Sequence, residues 1–235
     1  SAEAFGSLLL VPALEAGRPL EVAAPVCATW AANARRLAAL VSPWWGYPPA
    51  DLHFTEERRA VPPGPETALC FSGGVDSFFT LLRRPGRVDA LVCAIGYDVA
   101  TRDRRRRALV EDLARAVAAE SGARAVLVAS DLRRHRTVRR APWDRSHGGA
   151  LAALGHLLAP RVGRLVVSSS HPRVDGYPWG SRWDVDPLFS SVEFAVEHFG
   201  ADHGRVDKLR DLASEAIVRR HLRVCWENRN RSANC

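Results

Sequence analysis

With 235 residues, 47% of them hydrophobic, the chain is long enough to bury one sizeable α/β core, with or without an appendage. No apolar run approaches a membrane span, no secretory h-region opens the chain, and five cysteines, an odd number, argue for a reducing, cytoplasmic setting over a disulfide framework. The net charge of +7 admits a nucleic-acid partner, yet Lys208 is the only lysine among 33 basic residues and carboxylates are interspersed with most of the arginines.

Residues 1–64 differ in texture from residues 65–235 and are expected to form a small N-terminal α+β subdomain or cap. Leu8-Leu9-Leu10-Val11 and Leu20-Glu21-Val22 read as strands, and Thr29 to Leu40 as a helix with Trp30, Ala34, Leu37 and Leu40 along one side. Pro43, Pro48 and Pro49, then Pro62, Pro63 and Pro65, mark turns and a boundary. Residues 65–235 then alternate between strand and helix. Ala68 to Phe71 reads as a strand and Val75 to Arg83 as a helix; Val88 to Ile95 is an almost unbroken apolar run, as in a parallel strand covered on both faces. Arg102 to Ser121 reads as a helix with Leu109, Leu113, Ala116, Val117 and Glu120 on one stripe and Gly122 as its stop. Arg124 to Ser130 is a strand, Gly148 to Leu158 a helix ended by Pro160, and Leu165 to Ser168 a strand. This alternation predicts a doubly wound, mostly parallel α/β sheet, in which ligands bind beyond the carboxyl ends of the strands. Two arginine-rich stretches stand out, Arg102 to Arg107 and Arg133 to Arg140, each a solvated face or a contact for RNA or polyphosphate.

The junction Ser72-Gly73-Gly74-Val75-Asp76-Ser77 carries the most chemistry. A strand, a glycine turn and a helix start make an anion site, because unpaired N–H groups and the helix dipole converge there. Adjacent glycines let a polyphosphate approach the backbone, Ser72 and Ser77 add hydroxyls, and Asp76 offers a carboxylate suited to Mg²⁺. The segment lacks the Gly-Lys-Ser/Thr of a Walker loop and the GxGxxG of a dinucleotide turn. It resembles the SGGxDS signature of the PP-loop (N-type) ATP pyrophosphatases. That resemblance implies an adenine nucleotide alpha-hydrolase-like (HUP) fold and cleavage of ATP to AMP and pyrophosphate with activation of the substrate as an adenylate. It places ATP on Ser72, Gly73, Gly74, Val75, Asp76 and Ser77. Tyr97, in Gly96-Tyr97-Asp98, either lies near the nucleotide, as the family implies, or belongs to an ordinary turn.

Further features are similar to the 7-cyano-7-deazaguanine synthase branch. Arg145-Ser146-His147 opens a helix where those enzymes carry Arg-Asn-Thr, so Arg145 joins Asp76 and Ser77 as a candidate catalytic residue, with Ser146 or Asp144 as a cap. The 171–187 loop, with His171, Asp175, Tyr177 and Trp179, is expected to bind substrate. Its Asp175-Gly176-Tyr177-Pro178 resembles the Asp-x-Ser-Gly-Tyr-Pro-Asp-Cys-Arg loop of that branch but departs from it afterwards, which points to a different acceptor. His171 is a general base, a metal ligand or a plain polar loop residue. Cys225 and Cys235 are similar to the start of that branch's zinc knuckle; they are either a partial Zn²⁺ set in a longer native chain or two ordinary cysteines. Together these features lead us to expect a small-molecule acceptor activated at an oxygen and then attacked by ammonia or an amine. A tRNA base-modifying enzyme and a non-catalytic nucleotide-binding regulatory module are the alternatives, and a homodimer is allowed.

Overall fold

The computed structural model describes residues 1–55 and 61–224. In chain order its helices and strands are α1 (Ala2–Glu15), β1 (Leu20–Val22), α2 (Ala28–Trp45), β2 (Leu52–Phe54), β3 (Glu66–Cys70), α3 (Val75–Arg83), β4 (Ala90–Ile95), α4 (Arg104–Ser121), β5 (Arg124–Ala129), α5 (Trp143–Leu158), β6 (Val162–Ser168), β7 (Ala195–Phe199), α6 (Arg205–Leu212) and α7 (Ala216–His221). The architecture is α/β: five parallel strands in the order β5-β4-β3-β6-β7, flanked by helices, as a doubly wound fold requires, with β1 and β2 as a separate parallel pair. β3 is the strand at which the order reverses, and in such sheets the loop leaving that strand is where ligands bind. Among the described residues no helix is long and apolar enough to cross a membrane.

The chain divides into two compact units: Ser1–Glu66 with Arg134–Val167 and Gly176–His198, and Thr67–Arg133 with Ser168–Asp175 and the residues from Phe199 onward. Residues 1–64 are therefore part of a larger unit that also takes in later segments.

In the first unit, Leu8 to Val11 lies within α1 and forms no strand. The reason is legible in burial: Glu3, Ala4, Ser7, Leu10, Val11 and Leu14 are buried at helical spacing, so the apolar run is one turn of an amphipathic helix. Glu3 reaches the start of α2, where its carboxylate accepts the Cys27 N–H at 2.9 Å, the bond a capping side chain would otherwise make. Trp30 is completely buried and donates from Nε1 to Ser7 Oγ at 3.0 Å. An indole of that size contributes about 4–6 kcal/mol of burial before entropy is subtracted. Glycines let backbone meet backbone here: a Cβ on Gly149 would stand 2.3 Å from Ser7 O, and one on Gly148 1.9 Å from Gly180 O. α5 starts at Trp143, earlier than expected, because Pro142 supplies the fixed φ of a helix entrance. Neither expected cap operates; Ser146 Oγ donates back to Pro142 O at 3.0 Å.

In the second unit, β4 is flanked by β3 and β5 in parallel register, with Leu91 opposite Leu69 and Ala125. Cys93, Ile95, Val99, Val110, Ala114 and Leu127 close the core on one face. Burial pushes the Cys93 thiol up to about 11, so it is an inert core residue. α4 begins at Arg104, where Asp103 accepts the Arg106 N–H at 3.1 Å, and ends on left-handed Gly122. Its buried stripe is Val110, Ala114, Val117 and Ala118. The expected Leu109, Leu113 and Ala116 instead line an open cavity of about 350 Å³ with Arg220, Leu222 and Arg223. Arg104, Arg105, Arg106 and Arg107 occupy the first turn of α4, the positive end of the helix dipole, where each exposed cation costs roughly 0.3–1 kcal/mol.

Candidate functional site

β3 ends at Cys70, and the chain turns through Ser72 to Gly74 into α3. Two features force glycine at position 73. Its φ is +76°, a left-handed conformation, and a Cβ there would lie 2.5 Å from the Leu113 methyl. From the other side, the Arg223 N–H donates to Gly73 O at 2.8 Å and fixes the turn. The first helical bond of α3 runs from Phe78 N to Gly74 O at 3.0 Å. The N–H groups of Val75, Asp76 and Ser77 thus precede the intrahelical ladder and point out of the helix start. The hydroxyls divide: Ser77 is buried and donates to Gly74 O at 2.9 Å, holding the turn, whereas exposed Ser72 accepts from Gly74 N at 3.3 Å.

Asp76 stands in the first turn of α3 between two cations. Its Oδ2 accepts from Arg205 at 2.8 Å and its Oδ1 from the Lys208 ammonium at 3.0 Å. Lys208 also donates to Ser169 O at 2.6 Å and lies 5.7 Å from the Phe79 ring centroid. The two cations differ in kind. The Lys208 side chain is 2% exposed and that of Arg205 60% exposed. Burial pulls the Lys208 ammonium below its ordinary range, against the opposing pull of Asp76. Asp76 and Ser169 O together hold the Lys208 head group in place. The Arg205 pair, open to solvent, is worth about 0–1 kcal/mol and can exchange partners cheaply.

This arrangement bears on magnesium. The sequence placed a metal ion at Asp76, but both oxygens of that carboxylate are occupied by cationic donors, and a divalent ion would have to displace one of them. Arg205 is the weakly held one of the two, so Oδ2 is the oxygen that a divalent ion would reach by displacing it. Lys208 and Arg205 bring two positive charges to the same helix start.

The remaining expected residues are divided between the units. Tyr97 is in the second unit but is 5% exposed, and burial pushes its phenol above the ordinary range; it belongs to the core. His171 is half-buried and its carbonyl accepts from Ser169 Oγ at 2.7 Å, while Asp175 is exposed in a short 3₁₀ turn. In the first unit, Arg145 pairs with Glu15 at 3.2 Å and lies over the Trp45 ring at 5.6 Å, beside Tyr47. Of these neighbours, Glu15 is the anion that pairs with its charge. Tyr177 and Trp179 pack at 5.6 Å, and Trp179 meets His147 edge-on at 5.2 Å. His147 is held neutral by burial and bonds Trp143 O through Nδ1 at 3.0 Å. Within the 171–187 loop, Asp186 accepts from both Ser181 Oγ and His198 Nδ1 at 2.7 Å. Cys225 and Cys235 lie outside the described residues.

Lys208 and Arg205 were not among the expected site residues. The sequence held a signal for one of them: a chain that uses arginine at all its other basic positions retains a single lysine. An ammonium is a compact point charge, and a guanidinium is longer, planar and wants a forked partner. A closed pocket that presents one carboxylate oxygen and one carbonyl suits the former. Comparison of the chain with protein-family models, curated proteins and solved structures finds no match.

Proposed function

We propose that the second unit binds the polyphosphate of ATP on the Ser72–Ser77 loop and catalyses adenylate formation, releasing pyrophosphate. The observation that carries this reading is the convergence on one helix start of the unpaired N–H groups of Val75, Asp76 and Ser77 with the Lys208 and Arg205 cations. Backbone N–H groups preset around a developing charge stabilise it without reorganisation. Lys208 holds Asp76 and keeps positive charge behind the loop. Arg205, weakly held, swings from Asp76 to a phosphate oxygen as the nucleotide arrives. An acceptor oxygen attacks the α-phosphorus, the bond to the bridging oxygen breaks, and pyrophosphate departs onto the loop. A nitrogen nucleophile, ammonia or an amine, then displaces AMP from the adenylate. No step in this scheme passes through a metal ion. The HUP-type assignment, the 171–187 loop as the acceptor's binding segment and a cytoplasmic setting belong to the same reading.

The test is release of pyrophosphate from ATP in the presence of a panel of carboxylic acids and ammonium, comparing the native protein with Arg205→Gln. The expected result is acceptor-dependent release that falls at least tenfold in the variant, the loss of one charge-assisted bond. Release no greater than in the variant, across the panel, contradicts adenylation.

A further inference from the structure

Five arginines crowd the entrance to α4: Arg102 before it, and Arg104 to Arg107 in its first turn. Folding accounts for two. Arg106 pairs with Asp103 at 3.0 Å and Arg107 with Glu111 at 2.5 Å. Arg102, Arg104 and Arg105 are exposed and have no carboxylate partner among the described residues. They sit where the helix dipole and their like-charged neighbours both oppose them, so the fold gives no reason for them. Residues that break a local rule without a structural return mark function.

A second segment joins them. The loop before α4 lies against the residues after β5: Thr101 donates to Asp131, Arg133 donates to Tyr97 O, and a Cβ on Gly96 would stand 1.9 Å from Ser130 O. The carboxylates of these loops offset the charge only in part. Asp103 serves Arg106, while Asp131, which accepts from the neutral Thr101 hydroxyl, and exposed Asp98 are outnumbered by the arginines. The patch stands at the carboxyl ends of β4 and β5, the edge of the sheet from which the Ser72–Ser77 loop leaves β3.

We propose that this surface, Arg102, Arg104, Arg105 and Arg133, docks the phosphate backbone of a nucleic acid. Guanidinium groups match phosphate oxygens bidentately. The loops offer no exposed aromatic for base stacking, since Tyr97 is buried, so the contact is with backbone and reads no sequence. The inference stands apart from the ATP reading, because it uses none of the residues on the Ser72–Ser77 loop.

The experiment uses the full chain, an RNA duplex and a DNA duplex of the same sequence as probes, and polyglutamate as a competing polyanion. Fluorescence anisotropy is read across a salt series. Two variants are compared: R102Q/R104Q/R105Q, and R84Q/R87Q/R124Q, whose three changes lie at the opposite edge of the sheet. The native protein is expected to bind with an affinity that falls steeply with salt, and the first variant to bind at least tenfold more weakly, with a salt slope smaller by about two to three. Its melting temperature stays equal or rises, because removing cations from the first turn relieves the dipole. Stronger binding of RNA than DNA assigns the partner to RNA; equal binding assigns it to the backbone of either. Absence of duplex binding, equal losses in both variants, or equal capture of polyglutamate overturns the proposal.

Discussion

Replacing Asp76 with alanine is expected to destabilise the protein by about 3–5 kcal/mol, as removal of one partner of a buried ion pair does. The cost arises less from the lost attraction than from what is left behind: the Lys208 ammonium, 2% exposed, would retain only Ser169 O and the Phe79 face. Arg205 contributes little to this figure because it returns to water. A double variant separates stability from function. Asp76→Asn together with Lys208→Met removes both charges at nearly constant volume, and recovers part of the stability because no uncompensated ion remains. It does not recover ATP binding. Urea midpoints of the two single variants and the double variant give the coupling directly. Additive losses would show that the pair does not act as a unit.

Lys208→Arg is expected to behave as a radical change in a protein that otherwise uses arginine throughout. The site around the ammonium is closed: Gly200, held at φ +87°, puts the backbone where a Cβ would touch Lys208 Cε at 3.4 Å. A longer, forked head overfills that space, which costs about 1–3 kcal/mol, and it cannot place one donor on Asp76 and another on Ser169 O. The expected outcome is a lower melting temperature and pyrophosphate release at least tenfold below that of the native protein. Native-like stability and turnover in Lys208→Arg would mean that charge alone matters there and the shape of the head group does not.

How much was legible in the chain differs by element, for physical reasons. α3 was readable to its termini because glycines punctuate its start, and β4 because both its faces are covered and its apolar run is nearly unbroken. Leu8 to Val11 misled because four consecutive apolar residues fit a strand and a helix equally, and only the wider spacing from Glu3 to Leu14 decides. The α4 stripe was displaced by one residue, since Leu109 and Leu113 face a cavity and the smaller Val110 and Ala114 face the core. α6 was not anticipated; it is short and carries mostly polar residues, so no apolar period announces it. Yet α6 supplies Arg205 and Lys208, both across the turn from Asp76. A contact 132 positions apart in sequence leaves no local pattern, which is why the partners of Asp76 were not anticipated.

Backed by Lys208 and Arg205, the Ser72–Ser77 loop is read as a polyphosphate site that carries its own positive charge. Isothermal titration of pyrophosphate into the native protein, with a chelator present, puts that reading to the sharpest test. Saturable binding is expected to persist without a divalent cation and to weaken by about ten- to a hundredfold in Arg205→Gln. Absence of binding until Mg²⁺ is added, or equal affinity in Arg205→Gln, would contradict it.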